Sequence, residues 1–423
     1  MEKLILPDIK DLHTIGVYES HGGYAALKKA LAMKPEEVTD IVKKSNLRGR
    51  GGACFPTGLK WTFMPKTADK PKYLCVNGDE SEPGTFKDRQ IFEFNPHLLI
   101  EGTLIASYAM GVTTAYIYIR GEYGKWIHML EKAIADAASH GYIGQNILGS
   151  SFSTQIYVHK GAGAYICGEE SSLMNSIEGE RGYPRVKPPF PAQNGLWGNP
   201  TTINNVETIA NVPLIIDKGW EWYTKIGKPT HPGPILVGVS GHVNKPGVYE
   251  MPTGVPLLEI INSYAGGVPG GKRIKAVIPG GSSTPVLRGD ELEGVSMDAD
   301  SLKAAGSAVG TAGLMVMDED TDLIAVLARI TKFYHHESCG QCTPCREGTG
   351  WLHKLLNKFV AGTAAVHEID LLLEVATNIE GNTVCALGDA AAWPVQSMVR
   401  RFREEFERRV VQPASAERTE AVA

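Results

Sequence analysis

The chain has 423 residues, of which 43% are hydrophobic and 21% charged, an ordinary globular composition with room for about three domains, each able to bury its own core. A net charge of −5 offers no basis for nucleic-acid binding, and seven cysteines, odd in number and densely clustered in one place, do not make a secreted disulfide framework. The run Met1–Asp8 is too short in apolar residues for a signal peptide, and the most apolar stretch, Leu98–Val112, is broken by Glu101 and falls short of the roughly 18 residues a membrane helix needs. These features predict a soluble protein of a reducing compartment, without membrane insertion of its own but able to dock on a membrane assembly.

In chain order, residues 1–47 read as a helical lead-in: Tyr24, Leu27 and Leu31 share a helical face, and Pro35 followed by two glutamates opens a helix through Lys44. Alternation follows. Tyr73–Asn77 reads as a buried strand, Pro96–Met110 as a helix, Thr114–Ile119 as a β-branched strand, Glu122–His140 as a helix and Thr154–His159 as a strand. Strands alternating with long helices predict a Rossmann-like α/β domain over residues 1–230 with a largely parallel sheet. Composition shifts near Pro229–Pro234, and the short Gly- and Val-rich strands beyond it, with one helical segment at Pro256–Tyr264, predict a small α+β domain over 231–320. From 321 to 411 helical periodicity dominates, with Val399, Phe402, Phe406 and Val410 as an apolar stripe on one charged helix. Residues 412–423 carry no periodicity and read as a disordered tail.

The loops between these elements hold the chemistry. Gly49-Arg-Gly-Gly-Ala-Cys-Phe-Pro-Thr-Gly-Leu-Lys-Trp61 packs four glycines into ten residues, which lets backbone approach a ligand and turn N–H groups toward an anion, with Arg50 and Lys60 adding charge suited to phosphate. It is neither a P-loop nor a complete dinucleotide fingerprint, and a plain glycine-rich turn explains it equally well. Asn77-Gly-Asp-Glu-Ser-Glu82 follows a strand, where α/β sheets bind ligands, and its acids can accept hydrogen bonds from hydroxyls or ring N–H groups; a solvated acidic turn is the alternative. Gly168-Glu-Glu170 also follows a strand, and its adjacent acids suit a helix N-terminus on electrostatic grounds alone. Thr202-Ile-Asn-Asn205 offers side-chain amides. Cys339, Cys342 and Cys345 form a C-x₂-C-x₂-C turn with a remote Cys385 downstream. Three close thiolates plus one distant favour a 4Fe–4S cluster over zinc, which draws its ligands as two separated pairs.

Taken together, these segments resemble the family of flavin-bearing, NADH-oxidising subunits of respiratory complex I, from about residue 20 to residue 410. The resemblance implies that one FMN sits among the four loops and that NADH stacks over the flavin. Gly49, Arg50, Gly51 and Lys60 are then expected on the phosphate side, with Gly52 in the same loop. Asn77, Asp79, Glu80, Gly168, Glu169, Asn204 and Asn205 are expected to hold the ribityl chain and isoalloxazine. Phe55, Phe63 and Phe190 would flank the adenine and Glu170 would take the ribose hydroxyls. Glu82, given the catalytic part, and Lys187 complete the pocket. Cys339, Cys342, Cys345 and Cys385 match the cluster ligands, residues 235 to about 287 a β-grasp-like domain, and the C-terminal part a helical bundle. The implied reaction is hydride transfer from NADH to FMN, then single-electron transfer to the 4Fe–4S cluster. The implied partners are a small thioredoxin-like 2Fe–2S subunit and a larger iron–sulfur subunit, in the peripheral arm on the cytoplasmic face of a membrane complex (the matrix side if mitochondrial). The alternatives are the diaphorase subunit of a soluble NAD-dependent hydrogenase or formate dehydrogenase, and a non-catalytic zinc- or cluster-binding protein. The chain departs from the family pattern at Cys54, usually glycine, and Gly78, usually alanine. A φ above zero at Cys54 would strain it by roughly 1–2 kcal/mol.

Overall fold

Runs such as Leu-Cys-Val and Ala-Tyr-Ile-Tyr-Ile, apolar on both sides of the pleat, belong in a sheet covered on both faces. The computed structural model, which describes residues 2–66 and 69–411, places them so. Strands β1 (Tyr73–Gly78), β2 (Thr114–Ile119), β3 (Gln155–Lys160) and β4 (Thr201–Asn205) form one parallel sheet in the order β3-β2-β1-β4. Leu74, Val76, Ile117 and Ile119 are fully buried within it. The helix Pro96–Met110 is buried on nearly every side, which explains its lack of an amphipathic stripe: it lies between the sheet and the N-terminal helices. The chain runs outward from β1 to β3 and then returns to place β4 on the far side of β1. The sheet's switch point therefore lies between β1 and β4, where Asn77 and Asn205 stand side by side.

After a two-stranded ribbon of β5 (Gly227–Lys228) and β6 (His231–Pro232) comes a second, mixed sheet. It holds β7 (Pro234–Gly241), β8 (Gly247–Pro252), β9 (Ile274–Ile278), β10 (Leu287–Arg288) and β11 (Gly313–Asp318) in the order β10-β9-β11-β7-β8. Strand β11 was not expected from the sequence, because its Gly-Leu-Met-Val-Met run lacks a clear period of two. The helical segment expected at Pro256–Tyr264 forms as one short turn, Leu257–Glu259, running into a π-helical turn, Ile260–Tyr264.

The chain divides into two compact bodies, Met1–Thr321, which holds both sheets, and Asp322–Ala423. The second is all-helical in its described residues: Leu323–Glu337, Thr343–Val360, Glu368–Ile379, Leu387–Arg401 and Arg403–Glu407. Two local expectations are corrected. Tyr24 is not part of a helix but caps Ala25–Leu31 from the left-handed region, at φ 62°. The stripe does not lie on one helix: Val399 and Phe406 sit on two, Phe402 stands between them, and Val410 lies beyond the second in a bridge to Ala364. Phe402 breaks out of helical geometry at φ −133°, yet Val399, Phe402 and Phe406 all remain buried. The tail expected at 412–423 lies outside the described residues.

Candidate functional site

At the switch point a cleft of about 850 Å³ opens, well within the range of small-ligand sites. Its floor is the glycine loop, with Gly49, Gly51, Ala53 and Cys54. Gly51 is required there: a Cβ on it would stand 2.9 Å from the Asn205 Cβ. Asn77 and the β4 residues Thr202, Asn204 and Asn205 form one wall. Glu169, Glu170 and Lys187 form another, and three half-exposed rings, Phe55, Phe63 and Phe190, stand at the mouth.

The amides and glutamates of the walls are held from behind. Asn77 Nδ2 donates to the Gly168 carbonyl at 2.8 Å, and Trp61 Nε1 donates to Asn204 Oδ1 at 3.1 Å. Asn205 accepts the Glu207 and Thr208 N–H groups as the cap of a short helix and donates to Asp88 at 2.7 Å. The two adjacent glutamates divide their roles. Glu169 caps the helix Glu170–Ile177 by accepting from the N–H groups of Ser171 and Ser172. Glu170 instead lies between Lys187 at 2.6 Å and Lys60 at 3.1 Å. Burial alone would raise the Glu170 pKa, but the two ammonium groups outweigh it and hold the carboxyl below its usual range. The site therefore presents a fixed carboxylate beside two cations.

Other residues expected at the site stand outside the cleft lining. The Arg50 guanidinium is buried and turned away, bound to His231 and to the carbonyls of Pro232 and Pro234, so its charge does not serve a phosphate. A buried guanidinium needs acceptors, and here its two terminal nitrogens find them while Nε has none in the chain. Its backbone N–H donates to Thr208 Oγ1 at 2.8 Å and so fixes the loop. Gly52 bridges to Gly310. Asp79 and Gly168 pack together behind Asn77. Glu80 is buried, accepting from the N–H groups of Asp88 and Arg89 and from the Tyr123 hydroxyl. Burial, with Asp88 adding, pushes its carboxyl up to about 7 against the opposing Lys87. Glu82 is buried too, accepting from the Tyr165 hydroxyl at 2.5 Å and the Ser283 N–H at 2.7 Å, which ties the acidic loop to the second sheet. Burial raises its pKa.

Among the cleft residues not expected at the site, Thr57 and Thr202 stand out. The hydroxyls of Thr57 and Thr202 are buried with no hydrogen-bond partner in the chain. Orphaned buried hydroxyls in a roomy cleft suit a ligand rich in oxygen atoms, and FMN, with its ribityl chain and phosphate, is such a ligand. Alternation along β4 was the available signal, since Thr202 and Asn204 share a face. Cys54 lines the same cleft at φ 51°, a strained position for any residue but glycine. Burial raises its thiol pKa, which keeps it protonated.

In the helical body Cys342 caps the helix Thr343–Val360 and Cys345 lies buried in its first turn. Burial, with Cys342 and Cys339 adding and Ser338 opposing, pushes the Cys345 thiol up to about 11. Cys385 stands in the loop before Leu387–Arg401, which is pinned by Thr383 Oγ1 donating to the Cys385 carbonyl at 2.8 Å and by Gly381 N–H donating to Asp389 at 2.8 Å. Among the described residues no three His, Cys, Asp or Glu side chains converge on a single ion.

Comparison with known proteins decides the family. The Nuo51 FMN-binding domain matches residues 42–214, an SLBB domain 236–326, and the NADH-ubiquinone oxidoreductase-F iron-sulfur binding region 325–409. The NADH-quinone oxidoreductase F subunit of Rickettsia bellii is 57% identical over 384 residues, covering 90% of this chain and 92% of the relative. The chain belongs to the family of NADH-quinone oxidoreductase F subunits. A second F subunit, that numbered 2 in Rhizobium meliloti, is 54% identical over 400 residues, covering 94% of this chain and 95% of the relative. Among solved structures, a chain of the NAD+-reducing [NiFe]-hydrogenase in the H2-reduced state superposes with a TM-score of 0.83 at 36% identity over 91% of this chain. This chain spans 64% of the hydrogenase chain's length. As in its family, the cleft lies within an FMN-binding domain and the four cysteines within an iron–sulfur binding region.

Proposed function

We infer that this chain is the NADH-oxidising flavoprotein subunit of a quinone oxidoreductase, taking hydride from NADH in the cleft and passing electrons singly through the cysteine-bound cluster. The observation that carries this is the cleft itself: amides, orphaned hydroxyls, a lysine-flanked glutamate and exposed aromatic rings converge at the switch point of a parallel sheet. When bound, FMN takes two electrons as a hydride and gives them up one at a time, which a 4Fe–4S cluster accepts. Asn77, Thr202 and Asn204 hold the flavin's polar groups, and Thr57 with the glycine-loop backbone takes its phosphate side. Phe55, Phe63 and Phe190 stack the nucleotide's planar rings. Glu170 accepts the ribose hydroxyls, while Lys60 and Lys187 neutralise the phosphates. Asp79, Glu80, Glu82, Arg50 and Gly168 support that frame from behind. Cys339, Cys342, Cys345 and Cys385 hold the cluster.

A small thioredoxin-like 2Fe–2S subunit and a larger iron–sulfur subunit are the proposed electron-accepting partners, in a peripheral arm on the cytoplasmic face. Among the described residues no helix is long and apolar enough to cross a membrane. The similarity to the hydrogenase chain supports a second reading, the diaphorase part of a soluble NAD-linked enzyme. The proteins that co-purify with the chain separate the two. The purified chain should reduce ferricyanide with NADH but not a lipid-soluble quinone at a matching rate, and should show flavin bands over a broad iron–sulfur shoulder. A colourless preparation, or quinone reduction as fast as ferricyanide reduction, would contradict the proposal.

A further inference from the structure

The helix Leu323–Glu337 ends at Ser338, whose N–H donates to the Tyr334 carbonyl at 3.0 Å. Its side chain turns into the cysteine loop. Ser338 Oγ lies 3.1 Å from Cys345 Sγ, close for a hydrogen bond to sulfur, and receives the Gly340 N–H at 3.4 Å. The two contacts are compatible, because a hydroxyl oxygen can accept one bond while its proton makes another. The oxygen accepts from Gly340, and a ligating thiolate has no proton to give, so the hydroxyl proton points at sulfur. Arg346 donates to the Gly340 carbonyl at 2.9 Å and holds that side of the loop in place. Cys345 is only 5% exposed, so water does not compete for the bond and the low local dielectric strengthens it.

We propose that Ser338 is a positioning residue that sets the cluster's potential: its hydroxyl donates a hydrogen bond to the Cys345 thiolate and holds the 4Fe–4S cluster at a higher reduction potential than the cysteines alone would give. Reduction adds one electron to the cluster, and part of that density resides on the ligating sulfurs. A donor aimed at one sulfur stabilises the reduced form more than the oxidised form. The proposal rests on Cys345 being a cluster ligand, and iron content reports that reading separately from the potential.

The test is a redox titration of the full-length chain, followed by the electron paramagnetic resonance of the reduced cluster, in wild type, Ser338→Ala and Ser338→Thr. S338A should keep its full iron and titrate at a lower potential, and S338T should return to the wild-type value because it restores the hydroxyl. Full iron with an unchanged potential in S338A would overturn the proposal, as would a shift in S338T as large as in S338A. If S338A does not hold iron, proton double resonance on the wild-type reduced cluster decides. An exchangeable proton coupled through the Cys345 sulfur supports the proposal, and its absence overturns it.

Discussion

The cleft and the cysteine region solve the binding of a redox group in opposite ways. The cleft gathers residues from 49 to 208 and holds them through buried side chains that do not line it, such as Asp88 behind Asn205. Trp61 behind Asn204 does the same from the glycine-loop side. The cysteine region places three of the proposed ligands within seven residues, on a turn that a helix N-terminus completes. A dispersed site degrades by degrees when a support is removed; a site made of covalent ligands fails at once.

The largest expected effect breaks the two apart. Cys342→Ser should abolish iron binding while flavin stays bound at wild-type stoichiometry, because the cleft lies wholly in the first body. Iron and flavin analysis of the purified variant checks this, and full iron retention would remove Cys342 from the ligand set.

Within the cleft, Glu170 is the residue whose loss should change chemistry rather than assembly. A 2′-phosphate set against its carboxylate costs on the order of several kcal/mol, so NADH should be preferred over NADPH by at least about a hundredfold in kcat/KM. Glu170→Ala should narrow that ratio mainly by improving NADPH use, since Lys60 then loses its internal partner while Lys187 keeps only Glu169, at 3.2 Å. An unchanged ratio would reduce Glu170 to a structural ion pair.

The buried support of the cleft should also show in pH dependence. In the folded chain burial, with Asp88 adding, pushes the Glu80 carboxyl up to about 7, against about 4.3 for an unperturbed glutamate. The unfolded chain therefore ionises first as pH rises, so this contribution is intact below about 4.5 and lost as pH climbs through about 7. Glu80→Gln should be less stable overall, because an amide cannot accept every bond the carboxylate does. Its stability should nevertheless change less between pH 4.5 and 7.5, by about 1–3 kcal/mol. Denaturation midpoints across that range measure the difference.

The smallest effect sits in the glycine loop. Cys54→Gly should relieve the left-handed strain and raise stability by about 1 kcal/mol or less, since the added freedom of the unfolded chain offsets part of the gain. A loss of stability would mean that the thiol's packing outweighs the strain.

What was legible in the sequence follows the same division. The strands β1 to β3 and the helix Pro96–Met110 were read from periodicity, and the cysteine turn from spacing, because both signals are local. The glycine and acidic loops were ambiguous residue by residue. Arg50 shows why: a guanidinium beside glycines suits a phosphate in sequence, yet the fold spends it on carbonyls contributed by residues 232 and 234. Thr57 and Thr202 were not expected at the site because an orphaned hydroxyl exists only once the chain around it is folded. Strand β11 and the break at Phe402 were missed because tertiary packing, not local pattern, decides them.

The central claim is that one chain takes electrons from NADH in the cleft and hands them singly to the cysteine-bound cluster. Anaerobic addition of NADH to the purified chain, followed by optical absorption and paramagnetic resonance, tests it most directly. NADH should bleach the flavin and bring up the signal of a reduced 4Fe–4S cluster, and in Cys342→Ser only the bleaching should remain. A flavin that stays oxidised in the presence of NADH would contradict the account.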